Sequence, residues 1–349
     1  MRSADNMTIS IQERTQGRQS NFELLRIVLM LLVLLIHYVP VRIKDMTGGV
    51  SIADNVVQDV INLELRSLSI VCVNSFVLIS GYWGIRLKLK SFLNLLFQMT
   101  FWSAVCVIFA ITVFSATRVS LLHDFVFNIA SGWFPKSYLA LFVVAPLLNS
   151  YIQGCSENVL LKYIGVFYLL STIGGYLLRF DDFNEGMSVM SLIGLYLIGA
   201  YLRKSSLKIL HLKAVYDLLL YLGMGVFMVV ISILLICAGI SSSPYGYLNP
   251  IVILMSVYLF LFFKKVEIKN NRIINFLSAS AFSVYLFHYN PLCFGGICKI
   301  WTYINLNYGV LSSLGLAILS FVVIYLFCVL VDRIRIFVFN NCIGRFFIK

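Results

Sequence analysis

Charge is scarce in this sequence. Aspartate, glutamate, lysine and arginine make up 12% of the 349 residues, about half the share of an ordinary soluble domain, while 60% are hydrophobic and the mean hydropathy is +0.92. A water-soluble fold of this length cannot hide so much apolar surface, so soluble enzymes and binding modules are excluded. Long polar loops are lacking too, and none could house a soluble domain. There is no nucleotide-binding motif, no metal-ligand cluster and no G-x-S-x-G elbow, and no internal repeat or low-complexity tract. Any chemistry must be done inside the membrane.

What is present is a series of apolar runs. We read ten, at about 24–41, 67–84, 92–114, 136–152, 159–178, 187–202, 214–239, 247–263, 276–298 and 309–331, each long enough to cross or nearly cross a hydrocarbon core of about 30 Å. The expected fold class is therefore an all-α integral membrane protein with about ten transmembrane helices. Its parts would be a polar N-terminal segment (1–20), a membrane domain (21–332) and a short basic tail (333–349). The first run lacks an A-x-A cleavage site and reads as an uncleaved signal-anchor.

The loop charges give a separate test, because cytoplasmic loops are enriched in Lys and Arg. With the N-terminus inside, the outer segments hold Arg42, Lys44, Arg66, Arg118, Lys136, Arg179 and Lys299, and the other 20 of the 27 basic residues lie inside. Ten spans with both termini cytoplasmic follow, in a plasma or inner cell membrane. The net charge of +12 is then a matter of topology and gives no support to nucleic-acid binding. Cys72, Cys106, Cys237 and Cys328 fall in apolar runs as small hydrophobic residues, whereas Cys293 and Cys298, near the outer end of the ninth run, are spaced for a pair.

Ionisable residues inside these runs are costly and tend to face a cavity or a partner. In the stretch NFELLRIVLMLLVLLIH, Arg26 and His37 lie eleven residues apart, about 20° from three full helical turns, so they share a face. Glu23 joins that stripe, and Met30 and Val33 fill the turns between. Arg26 falls at the cytoplasmic mouth, with His37 about 16 Å deeper. Separately, Glu23 and Arg26 also read as an interfacial i,i+3 pair, and His37 as a packed residue. In FVLISGYWGIRLKLK, Ser80 and Tyr82 supply hydroxyls at the level of Arg26, Gly81 permits close approach, and Arg86, Lys88 and Lys90 form a cationic mouth. Lys88 and Lys90 alone also suit an ordinary positive-inside helix end. In SASAFSVYLFHYNPL, Tyr285 and His288 precede an Asn-Pro that bends or ends the helix, and His288 can reach the depth of His37 from the facing side. His123 and His211 fall in predicted loops without a role. Asp217 is expected to pair with Lys213, four residues earlier.

These stretches, with GWFPKSYLALFVVAPLLN (Gly132 to Asn149) and SVYLFH, resemble the membrane-bound acyltransferase-3 family. The Arg-x10-His spacing appears as Arg26 and His37, and the likeness extends from residue 21 to 292. Members of that family often place more arginines after the Ser-Gly-Tyr than the Arg86 and lysines found here. Some carry an appended esterase-like domain, and none is expected after the last apolar run here.

The resemblance implies O-acylation of a cell-surface or lipid-linked glycan from cytoplasmic acyl-CoA, most simply acetyl-CoA, with no metal. The expected partners are the acyl-CoA, the glycan acceptor and membrane lipid. In that scheme His37 is the general base, Arg26 meets donor phosphate and Glu23 orients Arg26. Arg86, Lys88 and Lys90 add donor contacts, while Ser80, Tyr82, Tyr285 and His288 offer hydrogen bonds to the acyl oxygen or substrate. A covalent acyl-histidine is a second route. Two other classes stand beside this one: a transporter or flippase for a glycan or lipid-linked intermediate, whose polar stripe lines a path, and a structural membrane subunit.

Overall fold

The computed structural model describes residues 19–42, 56–114, 121–207, 210, 212–240 and 243–343. The described residues form helices and no strands. In chain order the α-helices are α1 (Ser20–Arg42), α2 (Val56–Ser69), α3 (Cys72–Trp83), α4 (Leu89–Thr112), α5 (Leu121–Phe127), α6 (Trp133–Gly154) and α7 (Glu157–Leu170). They continue with α8 (Val189–Lys204), α9 (Ala214–Cys237), α10 (Pro250–Lys265), α11 (Arg272–Ser278), α12 (Ala281–His288), α13 (Pro291–Asn307) and α14 (Val310–Val338).

Six helical stretches among the described residues are long and apolar enough to cross a membrane, and the chain is a membrane protein. Four expected spans do not reach that standard. Helix α6 contains Pro146 and begins beside Lys136, and α8 and α10 have only 16 residues each. The run at 276–298 is broken into α11, α12 and α13. Asn290 caps the backbone N–H of Leu292 at 3.0 Å with Pro291 in the first turn, a start signal for a new helix. The second run begins earlier than expected, since α2 leads into α3 through a two-residue turn. His123 lies in α5, not in a loop, and His211 is outside the described residues.

Helix α1 carries apolar residues on several sides because it divides two cores. Phe22, Leu25 and Leu29 pack with α3, α8 and α10, whereas Met30, Val33, Leu34 and Tyr38 pack with α4, α12, α13 and α14. Helices α3 and α8 cross at two glycines. A Cβ on Gly81 would lie 2.1 Å from the Tyr196 carbonyl oxygen, and one on Gly199 would lie 2.3 Å from that of Leu78. Small residues at such crossings let membrane helices approach closely.

Some long-range partners differ from those expected. Buried Asp217 pairs with Lys265, on α10, and not with Lys213. All eight cysteines are unpaired, and Cys293 lies against the Cys106 backbone on α4. Arg333 and Arg335, expected in a tail, belong to α14, and Arg335 is buried against Asp332.

Candidate active site

The N-terminal turns of α1 are fastened by side chains. Asn21 donates to the Phe263 carbonyl at 3.0 Å, and the Ser20 hydroxyl accepts from the Asn271 N–H at 2.7 Å. Glu23, 7% exposed, receives the Ser278 hydroxyl of α11 on one oxygen and the Arg26 guanidinium on the other. Glu23 therefore aims Arg26 and ties it to α11. The Arg26 side chain keeps 32% of its surface.

That surface faces a cavity of roughly 290 Å³. Arg26, Met30 and Val33 line it in succession along α1, so the stripe read from helical periodicity is one of its walls. The other walls are largely aromatic and aliphatic, with polar points at Ser80, Gln98, Tyr138, Ser278 and Tyr285. An apolar chamber with a few placed polar groups is the usual form of a small-molecule site. Ser80 lies 3.3 Å from the Tyr138 hydroxyl and donates to the Phe76 carbonyl. The Tyr285 hydroxyl is buried with no close hydrogen-bond partner. Gly132, at φ +83°, makes room for it, because a Cβ there would stand 3.0 Å from that hydroxyl and 3.3 Å from the Tyr289 ring. A donor without an acceptor is costly in a buried place and suits one that is filled by substrate.

One turn beyond Val33, His37 Nδ1 lies 3.0 Å from His288 Nε2. His288, fully buried, places its Nδ1 2.7 Å from the Val284 carbonyl. A carbonyl only accepts, so the His288 proton sits on Nδ1, and its Nε2 accepts in turn from the His37 Nδ1–H. His37 Nε2 then carries a free lone pair. The His37 ring is stacked on Tyr289 at 4.4 Å and meets the edge of Phe294 at 5.8 Å. It remains half-buried, whereas His288 is sealed. The pair thus presents one proton acceptor on a ring whose tautomer and orientation are fixed from behind.

Other expected residues lie elsewhere. Tyr82 does not line this cavity. It packs with Phe22, Trp83 and Phe260, and the Lys264 ammonium stands 5.3 Å from its ring centre. The reason is helical: two residues apart, Ser80 and Tyr82 point about 200° apart. Arg86 lines a separate cavity, and exposed Lys88 and Lys90 line neither. Sequence reading missed Gln98, Tyr138 and Tyr289. Tyr289 directly follows His288 and was the easiest to find, Tyr138 lies within the quoted stretch Gly132 to Asn149, and Gln98 lacked any local signal.

The model of an acyltransferase domain, that of acyltransferase-3, matches residues 19–333, nearly the whole chain. The chain belongs to the acyltransferase-3 family. No curated protein and no solved structure matched it. In this acyltransferase the matched region contains the cavity, the histidine pair and every expected site residue.

Proposed function

We propose that this acyltransferase moves an acyl group, acetyl in our reading, from cytoplasmic acyl-CoA to a hydroxyl of a lipid-linked or extracytoplasmic glycan. One observation carries the reading: His37 Nε2 is left as a proton acceptor, one helical turn beyond a cavity that begins at Arg26. The donor enters from the cytoplasmic side with its diphosphate at Arg26 and its thioester arm in the apolar chamber. His37 Nε2 takes the proton of the acceptor hydroxyl as that oxygen attacks the thioester carbonyl. The C–S bond breaks, and CoA leaves as a thiolate that recovers the proton from His37. While His37 is charged, its Nδ1–H bond to His288 strengthens, because charge-assisted hydrogen bonds are the stronger kind. The Tyr285 hydroxyl serves the carbonyl oxygen as charge develops on it. A covalent acyl-histidine would use the same nitrogen.

The proposed topology has ten crossings with both termini cytoplasmic, in a plasma or inner membrane. Contacts at the two ends of α1 support it. Its start meets Phe263, Asn271 and Ser278, all in or beside segments assigned inside, and Tyr38 near its end donates to Asn305 at 2.6 Å, beside a segment assigned outside.

The test is to supply acetyl-CoA to the purified protein in membranes, measure CoA release, and compare surface glycans by mass spectrometry from cells with and without the gene. The expected result is acetyl-CoA consumption and a glycan acetyl group that disappears with the gene. Unchanged glycans together with no CoA release would overturn the reading.

A further inference from the structure

The stretch Val57–Trp83, long and apolar enough to cross a membrane, carries an arginine in its first half. Charged residues in such places face the interior of the bundle and meet a partner there. The Arg66 guanidinium lies 4.8 Å from the centre of the Tyr245 ring, with Tyr247 also within electrostatic range. Among the described residues, however, no carboxylate stands within ion-pair distance of Arg66, and nothing accepts a hydrogen bond from its guanidinium. Glu64, two residues earlier, is turned about 200° away on the helix, and its carboxylate lies beside Gly225 of α9. A ring face attracts a cation but leaves its five N–H donors unmet.

The surroundings of this arginine are firmly tied. Ser67 donates to the Gly225 carbonyl (2.9 Å) and Tyr221 to the Leu68 carbonyl (2.7 Å), which fastens α2 to α9. The Tyr245 hydroxyl lies 2.9 Å from the Ser232 hydroxyl and 3.4 Å from the Leu63 carbonyl, so the ring against Arg66 is fixed too. From there aromatic rings lead to the histidine pair. Tyr247, whose carbonyl accepts from Asn74 at 3.0 Å, packs on Trp133 with ring centres 5.5 Å apart. It lies within electrostatic range of Tyr285 and Tyr289 as well as of Arg66, and Tyr289 is the ring stacked on His37. Tyr247, Trp133 and Tyr289 are each only half-buried and keep surface for a ligand.

We infer that Arg66 binds an anionic group of the acceptor, either a sugar carboxylate or the phosphate that joins a sugar to its lipid. Tyr247, Trp133 and Tyr289 form the surface on which the sugar rests between Arg66 and His37. The inference rests on the acyl-transfer reading above and narrows its acceptor to a glycan that carries negative charge. A guanidinium takes a carboxylate or a phosphate through paired, planar hydrogen bonds. Tyrosine and tryptophan rings combine an apolar face with a polar edge, as a sugar does. Arg66 belongs to the segments assigned outside and Arg26 to the opposite mouth, so the anions of acceptor and donor are each met by their own arginine.

Calorimetry on the full chain in detergent tests this with four probes: methyl glucuronide, glucose 1-phosphate, methyl glucoside and inorganic phosphate. Wild-type protein is expected to bind at least one of the charged sugars about tenfold more tightly than methyl glucoside. Which of the two it prefers identifies the source of the charge, the sugar itself or its link to lipid. The preferred one should also bind more tightly than inorganic phosphate, which cannot use the rings. Arg66→Gln should erase the preference for charge while its thermal transition stays near the wild-type value, and Arg66→Lys should restore part of the preference. The inference is overturned if wild type prefers neither charged sugar to methyl glucoside, if Arg66→Gln keeps the preference, or if inorganic phosphate binds as tightly as the charged sugars. CoA release from acetyl-CoA, measured on the same protein, separates the two readings. Release without a preference for charge would sink the Arg66 site and leave the transfer reaction, whereas Arg66-dependent binding without release would keep the anion site and remove the transfer.

Discussion

Helix α12 is held between two buried polar groups that differ in how far their hydrogen bonds are satisfied. On one side Asp332, fully buried, accepts five: from Ser283 (2.7 Å), Ser280 (2.9 Å), Trp102 (3.2 Å) and two from Arg335 (2.6 and 3.0 Å). Arg335 also donates to Asn94, Gln98 donates to Ser283, and Arg333 donates to Ser280. On the other side, the Tyr285 hydroxyl has no close partner and His37 keeps one nitrogen free of its histidine partner. A saturated network fixes geometry, and an unsaturated one is available to a ligand. Asp332 therefore reads as the residue that positions α12, and the histidine pair with Tyr285 as the place that we propose for the reaction.

The sharpest way to break this contrast is at its reactive end. His37→Ala is expected to reduce acyl transfer by about a hundredfold or more, with the protein still inserted and abundant on an immunoblot of membranes. Transfer at the wild-type rate would remove His37 from the mechanism. At the saturated end, Asp332→Ala strands a buried guanidinium and three other donors, and should destabilise the fold by about 3–5 kcal/mol, read as a lower thermal transition in detergent. A joint Asp332→Leu, Arg335→Met replacement should cost less than the single change, since no charge is left unpaired.

Tyr285→Phe divides the two regions more finely. Its proton reaches no acceptor in the folded chain and only the Phe134 N–H faces its oxygen, so stability should change little while turnover falls by about a hundredfold. A large drop in thermal transition would instead make the hydroxyl structural. The smallest expected effect is that of Arg26→Lys, which keeps the charge and loses the planar fork. Donor affinity measured by titration with acyl-CoA should weaken by about tenfold, and an unchanged affinity would return Arg26 to the role of interfacial anchor held by Glu23.

Much of the site was legible because helical periodicity is a local rule. The wall formed by Arg26, Met30 and Val33 follows from 3.6 residues per turn, and so does the placement of Tyr82 away from Ser80. Other features were not legible for the same reason. Asp332 lies at the end of a long apolar run and looks like the start of a charged tail, yet its partners Trp102, Ser280 and Ser283 are 49 to 230 residues away. The Asn-Pro at 290–291 marked a bend, but the second break, at Ser278 to Ser280, depends on hydroxyls claimed by Glu23 and Asp332.

Composition determined that this chain lives in a membrane, because so few charges and so much apolar surface leave no soluble alternative, and the length of its apolar runs determined that it crosses as helices. Spacing determined which residues of α1 share a face, and motif order pointed to the acyltransferase-3 family. Tertiary structure decided the partners. It set His288 against His37 across 251 residues, gave Asp217 to Lys265, and placed Gly132 beneath the Tyr285 hydroxyl. It also gathered Arg86, Arg203 and Lys204 around one cavity. A local period states which way a side chain points, and only the packing of distant helices decides what it meets there.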